Sequence, residues 1–287
     1  MVVGEFKLYH YEPSLAAALT ASICFGIATL VHFIYFIVKR TWFFTPFIIG
    51  GIFETLGYVG RLRSSQQTPN WTTGPYIMQT LLLLLAPALF AASIYMILGR
   101  IIQLTDGDSR SVIRGRWITR IFVIGDVVSF LAQAGGGGIL AKADSNGKQD
   151  LGNDIIIGGL LVQIVFFGLF IIVSAIFHVR MVKWPTPRAV EVNVPWQRLL
   201  FVLYVANTFI LLRSLFRVVE YVQGTEGPLQ ANECWLYIFD GLLMFLMMLL
   251  LVVYHPSRII ISYAKINSAE EWLMEMSGGK GWKHGGT

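Results

Sequence analysis

Residues Leu199–Val222, LLFVLYVANTFILLRSLFRVVEYV, form an apolar run that is long enough to cross a membrane as a helix, yet the run contains three charged side chains. Arg213, Arg217 and Glu220 are spaced at i, i+4 and i+7, which places them on one face of that helix. An ionisable group at the centre of a bilayer costs about 2.5–3.5 kcal/mol. The three side chains therefore face other helices or water rather than lipid, and this face is a candidate functional site.

The composition of the whole chain is that of a membrane protein. Of its 287 residues, 55% are hydrophobic and 14% are charged, whereas soluble domains average about 25% charged residues. The net charge of +5 fits basic loops beside membrane spans, because the chain has no room for a soluble module that could bind nucleic acid. The two cysteines, Cys24 and Cys234, are too few for a disulfide framework or a zinc site. We therefore expect one membrane domain and no nucleic-acid partner.

Apolar runs of about 18 residues or more predict seven membrane-spanning helices in this chain. The expected fold class is an all-α membrane protein, a bundle of seven transmembrane helices. The second span is the shortest and the sixth is the most polar. The predicted spans are Pro13–Val38, Phe43–Gly60, Tyr76–Ile102, Thr119–Leu140, Asp154–Val179, Leu199–Val222 and Trp235–Tyr254.

The distribution of Lys and Arg between the loops predicts the orientation of the bundle. The N-terminus and the loops on its side hold five of these residues, and the loops and tail on the other side hold thirteen. Because the more basic side is expected to be cytosolic, residues 1–12 form a short extracellular N-terminus, residues 13–255 the membrane domain and residues 256–287 a cytosolic tail with an interfacial helix over Ile259–Met276. The sequon at Asn70 falls on the predicted outer side and is a candidate glycosylation site.

With this orientation, most polar side chains of the spans fall in the predicted outer half of the bundle. The acids and bases of that half, three of each, cancel in formal charge, and Asp126 lies apart from them on the cytosolic side of the middle. The predicted ligand-binding residues are Glu54, Tyr58, Arg61, Gln79, Asp126, Gln133, Gln163, Arg213, Arg217, Glu220 and Asp240.

Two interpretations of the outer charges remain open. They form a structural ion-pair network that locks the second, sixth and seventh spans together, or they line a polar cavity that binds the head group of an amphipathic ligand. Six unpaired charges would cost roughly 15 kcal/mol, so ion pairs must offset most of this cost under either interpretation. Small residues and hydroxyl groups hold helices together at lower cost, which favours a cavity in addition to structural pairs.

Metal and phosphate sites are not predicted. His32, His178 and His255 fall near the predicted cytosolic ends of their spans and are the weak candidates for metal ligands, but no HExxH motif or i, i+4 histidine pair supports a zinc site. The glycine run Gly135–Gly138 follows no strand and lacks the Lys of a phosphate-binding loop, and we expect it to loosen the fourth span near its outer end. No cofactor and no nucleotide-driven pumping are expected.

Several motifs of the chain resemble those of one known family. They are ETLGYVGR at Glu54–Arg61, LAPALFAASIYM at Leu85–Met96, FVIGDVVSF at Phe122–Phe130 with QAGGG at Gln133–Gly137, RSLFRVVEY at Arg213–Tyr221, and the residues Glu233, Asp240 and His255-Pro256. From about Tyr11 to Pro256, the chain resembles the fungal RTA-like family, also called lipid-translocating exporters. The resemblance implies seven spans, an outside N-terminus and a fungal membrane protein, usually at the plasma membrane.

The resemblance also implies which functions to compare. Described members of the family are linked to export of sphingoid long-chain bases, to resistance to toxic amphiphiles, and to uptake of porphyrin or haem. Our first hypothesis is a transporter of amphipathic lipid-like molecules, with membrane lipids and its substrate as partners and with porphyrin or haem as a candidate ligand rather than a cofactor. A seven-span receptor for an amphipathic ligand is the alternative, and an intramembrane metal-dependent lipid hydrolase is the third. The sequence predicts no oligomeric state.

Overall fold

The computed structural model describes residues 11–68, 70–141, 146–191, 195–223, 227, 229 and 232–257. Every element in these ranges is helical. Seven of the helices are long and apolar enough to cross a membrane, which confirms the predicted spans and makes the chain an integral multi-pass membrane protein. The helices are α1 Leu15–Val38, α2 Thr45–Gln66, α3 Thr73–Leu104, α4 Gly115–Ala141, α5 Asn146–Lys183, the short α6 Pro187–Glu191, α7 Trp196–Gln223 and α8 Glu233–Val253.

Local sequence explains where several helices begin and end. The Ser14 side chain caps α1 by accepting a hydrogen bond from the backbone N–H of Ala17. A proline, Pro46, stands in the first turn of α2, where its missing N–H leaves no partner unsatisfied. α2 runs six residues beyond the predicted end at Gly60, so Arg61 lies within the helix and its side chain is fully buried in the bundle.

Helix α3 is at the centre of the bundle. It packs against α2, α4 and α7, and it has the largest buried share of the seven spans. Aromatic rings fill the space on both sides of it. Phe90 lies 4.6 Å from Phe47 of α2, and Tyr95 lies 4.6 Å from Phe170 of α5, measured between ring centroids. Burial of these rings against α3 fixes the relative positions of the helices that carry the polar side chains.

Close packing of α4 on α5 accounts for the glycine run in α4. The prediction that Gly135–Gly138 loosens this span is wrong, because α4 continues unbroken to Ala141. A Cβ atom on Gly136 would lie 2.7 Å from the carbonyl oxygen of Gly152 in α5, so only glycine permits this approach. Small residues at such a contact let two membrane helices pack backbone to backbone.

Helix α8 contains a π-helical turn over Tyr237–Leu242. Such turns insert one extra residue into a helix and are frequent at functional sites. Asp240 and Gly241 are the buried residues of the turn. A Cβ atom on Gly241 would lie 2.6 Å from the Tyr58 hydroxyl, so the glycine lets α2 and α8 meet at the level of the polar side chains.

The predictions for the two ends of the chain fall outside the described residues. Residues 1–10, the interfacial helix over Ile259–Met276 and the rest of the predicted tail beyond residue 257 belong to this group. The extracellular N-terminus and the cytosolic tail therefore stay predictions, as does the orientation of the bundle.

Candidate functional site

A polar cavity of about 110 Å³ lies between α2, α3, α7 and α8, near the point where α7 ends and α8 begins. Five of the predicted ligand-binding residues line it: Arg61, Gln79, Arg217, Glu220 and Asp240. Tyrosine side chains that sequence reasoning did not select complete much of the wall: Tyr11, Tyr76 and Tyr221. The cavity thus combines ionic, phenolic and amide groups inside a membrane-spanning bundle.

The first ion pair of the site joins α2 to α8. Arg61 Nη2 lies 2.8 Å from Glu233 Oε1, and its Nε donates to Glu233 Oε1 and to the Tyr237 hydroxyl at 3.1 Å each. Nη2 also donates to the Tyr11 hydroxyl at 2.7 Å. Glu233 was not among the predicted site residues because the seventh span was predicted to begin at Trp235. Its Oε2 accepts from the backbone N–H of Ser14 at 2.8 Å, so this carboxylate also holds the start of α1.

The second ion pair joins α7 to α8 and is almost completely buried. The Arg213 Nε–H donates to Asp240 Oδ1, and Arg213 and Asp240 are 1% and 3% exposed. Arg213 Nη2 donates to the carbonyl oxygen of Leu83 in α3 at 2.7 Å. That carbonyl is available because Pro87, four residues later, has no N–H to donate to it. A proline in one helix thus creates the acceptor for an arginine in another.

The third ion pair lies within α7. Arg217 Nη1 is 2.8 Å from Glu220 Oε2, and both side chains line the cavity. The Arg217 guanidinium also lies 5.4 Å from the centre of the Tyr221 ring, within cation–π range. Among the three pairs of the described residues, this is the one whose two partners both line the cavity. Because a single helix carries both side chains, the pair can open without movement of one helix against another.

Glu54 and Tyr58 lie in the bundle but do not line the cavity. Both side chains are buried, and neither Glu54 Oε1 nor the Tyr58 hydroxyl has a hydrogen-bond partner among the described residues. The Tyr58 ring stacks on Phe25 at 5.2 Å and on Tyr237 at 5.9 Å. With Glu233 included, the described residues of the cluster hold four acids and three arginines, one acid more than the predicted balance of three against three.

The remaining predicted site residues are grouped elsewhere in the bundle. Gln133 of α4 donates from Nε2 to Gln163 Oε1 of α5 at 3.0 Å, and both side chains are buried. Asp126 of α4 is buried beside the Tyr95 hydroxyl of α3. None of these three residues lines the polar cavity. Their role in ligand binding stays a prediction.

The histidines make contacts with their own neighbours. His32 Nε2 lies 3.0 Å from the carbonyl oxygen of Met248, and the His255 ring stacks on Tyr35. His178 Nδ1 lies 3.4 Å from the Tyr204 hydroxyl. In the part of the chain that the structure describes, no three His, Cys, Asp or Glu side chains lie close enough to hold a metal ion. Asn70 is exposed between α2 and α3, and its glycosylation stays a prediction.

Comparison with known proteins assigns the chain to a family. The family model described as RTA1 like protein matches residues 47–262. The chain belongs to the RTA1-like family. This match begins within α2 and includes every predicted ligand-binding residue. Apart from Tyr11, the residues that line the polar cavity lie in the part of the chain that the RTA1-like family model covers.

Individual relatives in the RTA1-like family are similar over most of their length. Protein RTA1 of Saccharomyces cerevisiae is 38% identical over 281 residues, covering 89% of this chain and 87% of that protein. Protoporphyrin uptake protein 1 of the same yeast is 37% identical over 279 residues, covering 85% and 90%. Sphingoid long-chain base transporter RSB1, also from S. cerevisiae, is 25% identical over 276 residues, covering 85% and 72%. No solved structure matches the chain.

Proposed function

We propose that this protein transports amphipathic, lipid-like molecules and that the polar cavity receives the head group of its substrate. The observation that carries the proposal is a cavity lined by charged side chains, among them the Arg217–Glu220 pair, inside a membrane-spanning bundle. Ionisable groups in a membrane are costly, and they commonly mark the pathway of a substrate or an ion. The names of two relatives, a protoporphyrin uptake protein and a sphingoid long-chain base transporter, support an amphipathic substrate.

The size of the cavity indicates which part of a substrate it accommodates. Pockets for whole small molecules measure about 300–1,000 Å³, and a water molecule takes about 30 Å³. The polar cavity, at about 110 Å³, therefore matches a head group and not a porphyrin or a complete lipid. A head group would enter by opening the Arg217–Glu220 pair. Glu220 would then pair with an amine, and Arg217 with a carboxylate or phosphate.

An apolar groove of about 530 Å³ between α1 and α8 would hold the hydrocarbon chain. Small side chains of α1, among them Ala17 and Ala21, form one wall. The groove extends along α1 from Ser14 to Phe25, which are eleven residues or about 16 Å apart at 1.5 Å per residue. That length is close to half of the hydrocarbon core, about 30 Å thick, and so matches one leaflet. Tyr237 lines the groove and accepts a hydrogen bond from Arg61 of the cavity, so head and chain sites share one wall.

We place the protein in the plasma membrane with its N-terminus outside, which puts the polar cavity on the outer side of the bundle. We assign it no enzymatic activity, no cofactor and no nucleic-acid partner. The relatives named for transport or uptake support the assignment to a non-enzymatic class.

Reconstitution into liposomes tests the proposed transport. The purified protein is given labelled sphingoid base, porphyrin or phospholipid, and the initial rate of movement is measured. We expect Arg217→Ala and Glu220→Gln to lower the rate for the transported molecule at least about tenfold, which corresponds to about 1.4 kcal/mol of lost interaction. Arg198→Ala is the matched control, because Arg198 is exposed near the other end of α7 and should leave the rate unchanged.

Other outcomes of that experiment identify other functions. Saturable binding without movement would replace transport with the receptor hypothesis. A bound metal together with a hydrolysed product would replace it with the hydrolase hypothesis. Normal movement by both cavity variants, with folding retained, would show that the ion pair is purely structural.

Photo-crosslinking tests the groove. A single-chain amphiphile with a diazirine in its chain should label peptides of α1 and α8, and Ala21→Trp should reduce this labelling several-fold because the indole fills the groove. Leu131→Trp is the control, since Leu131 is 62% exposed on α4, away from the groove. Equal labelling of α4 and α1 would mean that the chain only contacts the lipid-facing surface, which contradicts a specific groove.

A further inference from the structure

Glu54 is the one acid of the charged cluster that has no arginine of its own among the described residues. Arg61 pairs with Glu233, Arg213 with Asp240 and Arg217 with Glu220. The Glu54 side chain is nevertheless 1% exposed, and its Oε1 has no hydrogen-bond partner in the described ranges. Within the described ranges, four acids and three arginines leave one formal negative charge to be compensated inside the membrane.

The described residues around Glu54 supply no further cation. From α7 and α8 the charged neighbours are Arg213 and Asp240, and Arg213 already donates to Asp240 and to the Leu83 carbonyl. From α2 the neighbour is the Tyr58 hydroxyl, four residues along the same face. From α1 and α3, Phe25 against Tyr58 and Leu83 against Gly57 contribute apolar side chains. Two carboxylates thus share one guanidinium.

A carboxylate that is buried in a membrane-spanning bundle without a cationic partner is neutralised by binding a positive charge. Two kinds of positive charge can reach Glu54. One is a proton, and the other is a cation that arrives through the neighbouring cavity. Asp240 connects the two places, because it lines the cavity and also acts on Glu54. Asp240 thus belongs both to the wall of the cavity and to the charged surroundings of Glu54.

We propose that Glu54 is an exchange site, at which a proton and the cationic head group of an amphiphile bind alternately. The proposal rests on the proposed transport function and adds to it a source of energy. When the cation binds, the O–H bond of the Glu54 carboxyl breaks, the proton passes to water in the cavity, and the carboxylate pairs with the cation. One positive charge replaces another, so the buried cluster keeps its total charge. A proton gradient would then drive the cation in the opposite direction.

Proton release on binding tests the exchange. The purified protein in weakly buffered detergent solution at about pH 7 is titrated with hexadecyltrimethylammonium, whose charge is fixed and which has no N–H proton to lose. We expect about one proton released per bound cation in the wild type and none in Glu54→Gln. Hexadecanol, which has the same chain and no charge, should release none. Glu191→Gln is the matched control, because Glu191 is an exposed carboxylate at the end of α6.

The outcomes separate this proposal from the proposed function. Binding of the cation by the wild type without proton release would overturn the exchange and leave transport intact. The same conclusion would follow if Glu54→Gln released as many protons per bound cation as the wild type. A protein that moves another amphiphile but does not bind the cation would also overturn the exchange alone. If no amphiphile is bound or moved, both proposals fail. If Glu54→Gln does not fold, the proton count of the wild type still decides.

Discussion

An Arg213→Met variant is expected to lose about 3–5 kcal/mol of unfolding free energy, because removing one member of a buried ion pair leaves the other charge uncompensated. Arg213 is 1% exposed, and its guanidinium serves both Asp240 of α8 and the Leu83 carbonyl of α3. The substitution leaves both acceptors without a donor. The helices that Arg213 connects, α3, α7 and α8, are three of the four that form the cavity, so we expect transport to fall together with stability.

The double variant Arg213→Met/Asp240→Leu separates the ion pair from general damage. Replacing both charges of a buried pair by apolar groups is often neutral or stabilising, so the double variant should recover most of the stability that Arg213→Met loses. Thermal unfolding in detergent measures both, and Arg198→Met, at an exposed position of the same helix, should behave as the wild type. A double variant no more stable than the single one would show that the two residues do not act as a pair.

The part of this arrangement that sequence could predict follows from the cost of charge in lipid. Seven apolar runs give seven helices, since a membrane leaves no other way for these backbones to satisfy their hydrogen bonds. The i, i+4, i+7 spacing of Arg213, Arg217 and Glu220 also predicted an inward face. Arg213 and Arg217 are buried, and Glu220 lines the cavity.

The choice of partners could not be predicted, because it depends on the rotation and depth of each helix. Sequence reasoning had no means to distinguish Asp240 from Glu54 as the partner of Arg213. The π-helical turn of α8 decides this, since it shifts the register of the helix around Asp240, and local sequence gives no sign of the turn. The Leu83 carbonyl is a similar case. Pro87 is visible in the sequence, but which side chain uses the acceptor that it frees is a matter of packing.

Glu233 was missed for a different reason. Span prediction by hydropathy excludes charged residues at the ends of apolar runs, so the last span began at Trp235 and Glu233 was assigned to a loop. In the structure α8 begins at Glu233, within reach of Arg61. The sequence did hold one indication that Glu233 matters, because Glu233 is among the residues that resemble those of the RTA-like family. Charged residues one turn beyond an apolar run therefore belong in the set of candidate site residues.

Reversing the charge of Arg61 is expected to lower both stability and transport strongly. In Arg61→Glu, a second carboxylate would face Glu233, whose Oε1 now lies 2.8 Å from Arg61 Nη2. The Arg61 side chain is fully buried, so water could not screen the two acids from each other at this position. Loss of the pair and repulsion between the two acids should together cost about 3 kcal/mol or more. Because Arg61 also lines the cavity, we expect at least about a tenfold lower transport rate, which corresponds to about 1.4 kcal/mol.

The charge-swapped variant Arg61→Glu/Glu233→Arg should recover a large part of both losses. The pair is restored with opposite polarity, and the hydroxyl groups of Tyr11 and Tyr237, which now accept from Arg61, can rotate to donate to a carboxylate instead. Arg63→Glu, at an exposed position of α2, is the control for added negative charge and should have little effect. Thermal unfolding and liposome transport are measured for these three variants and the wild type. A swapped protein as unstable as Arg61→Glu would mean that the fixed geometry of the guanidinium, rather than its charge, holds α2 to α8.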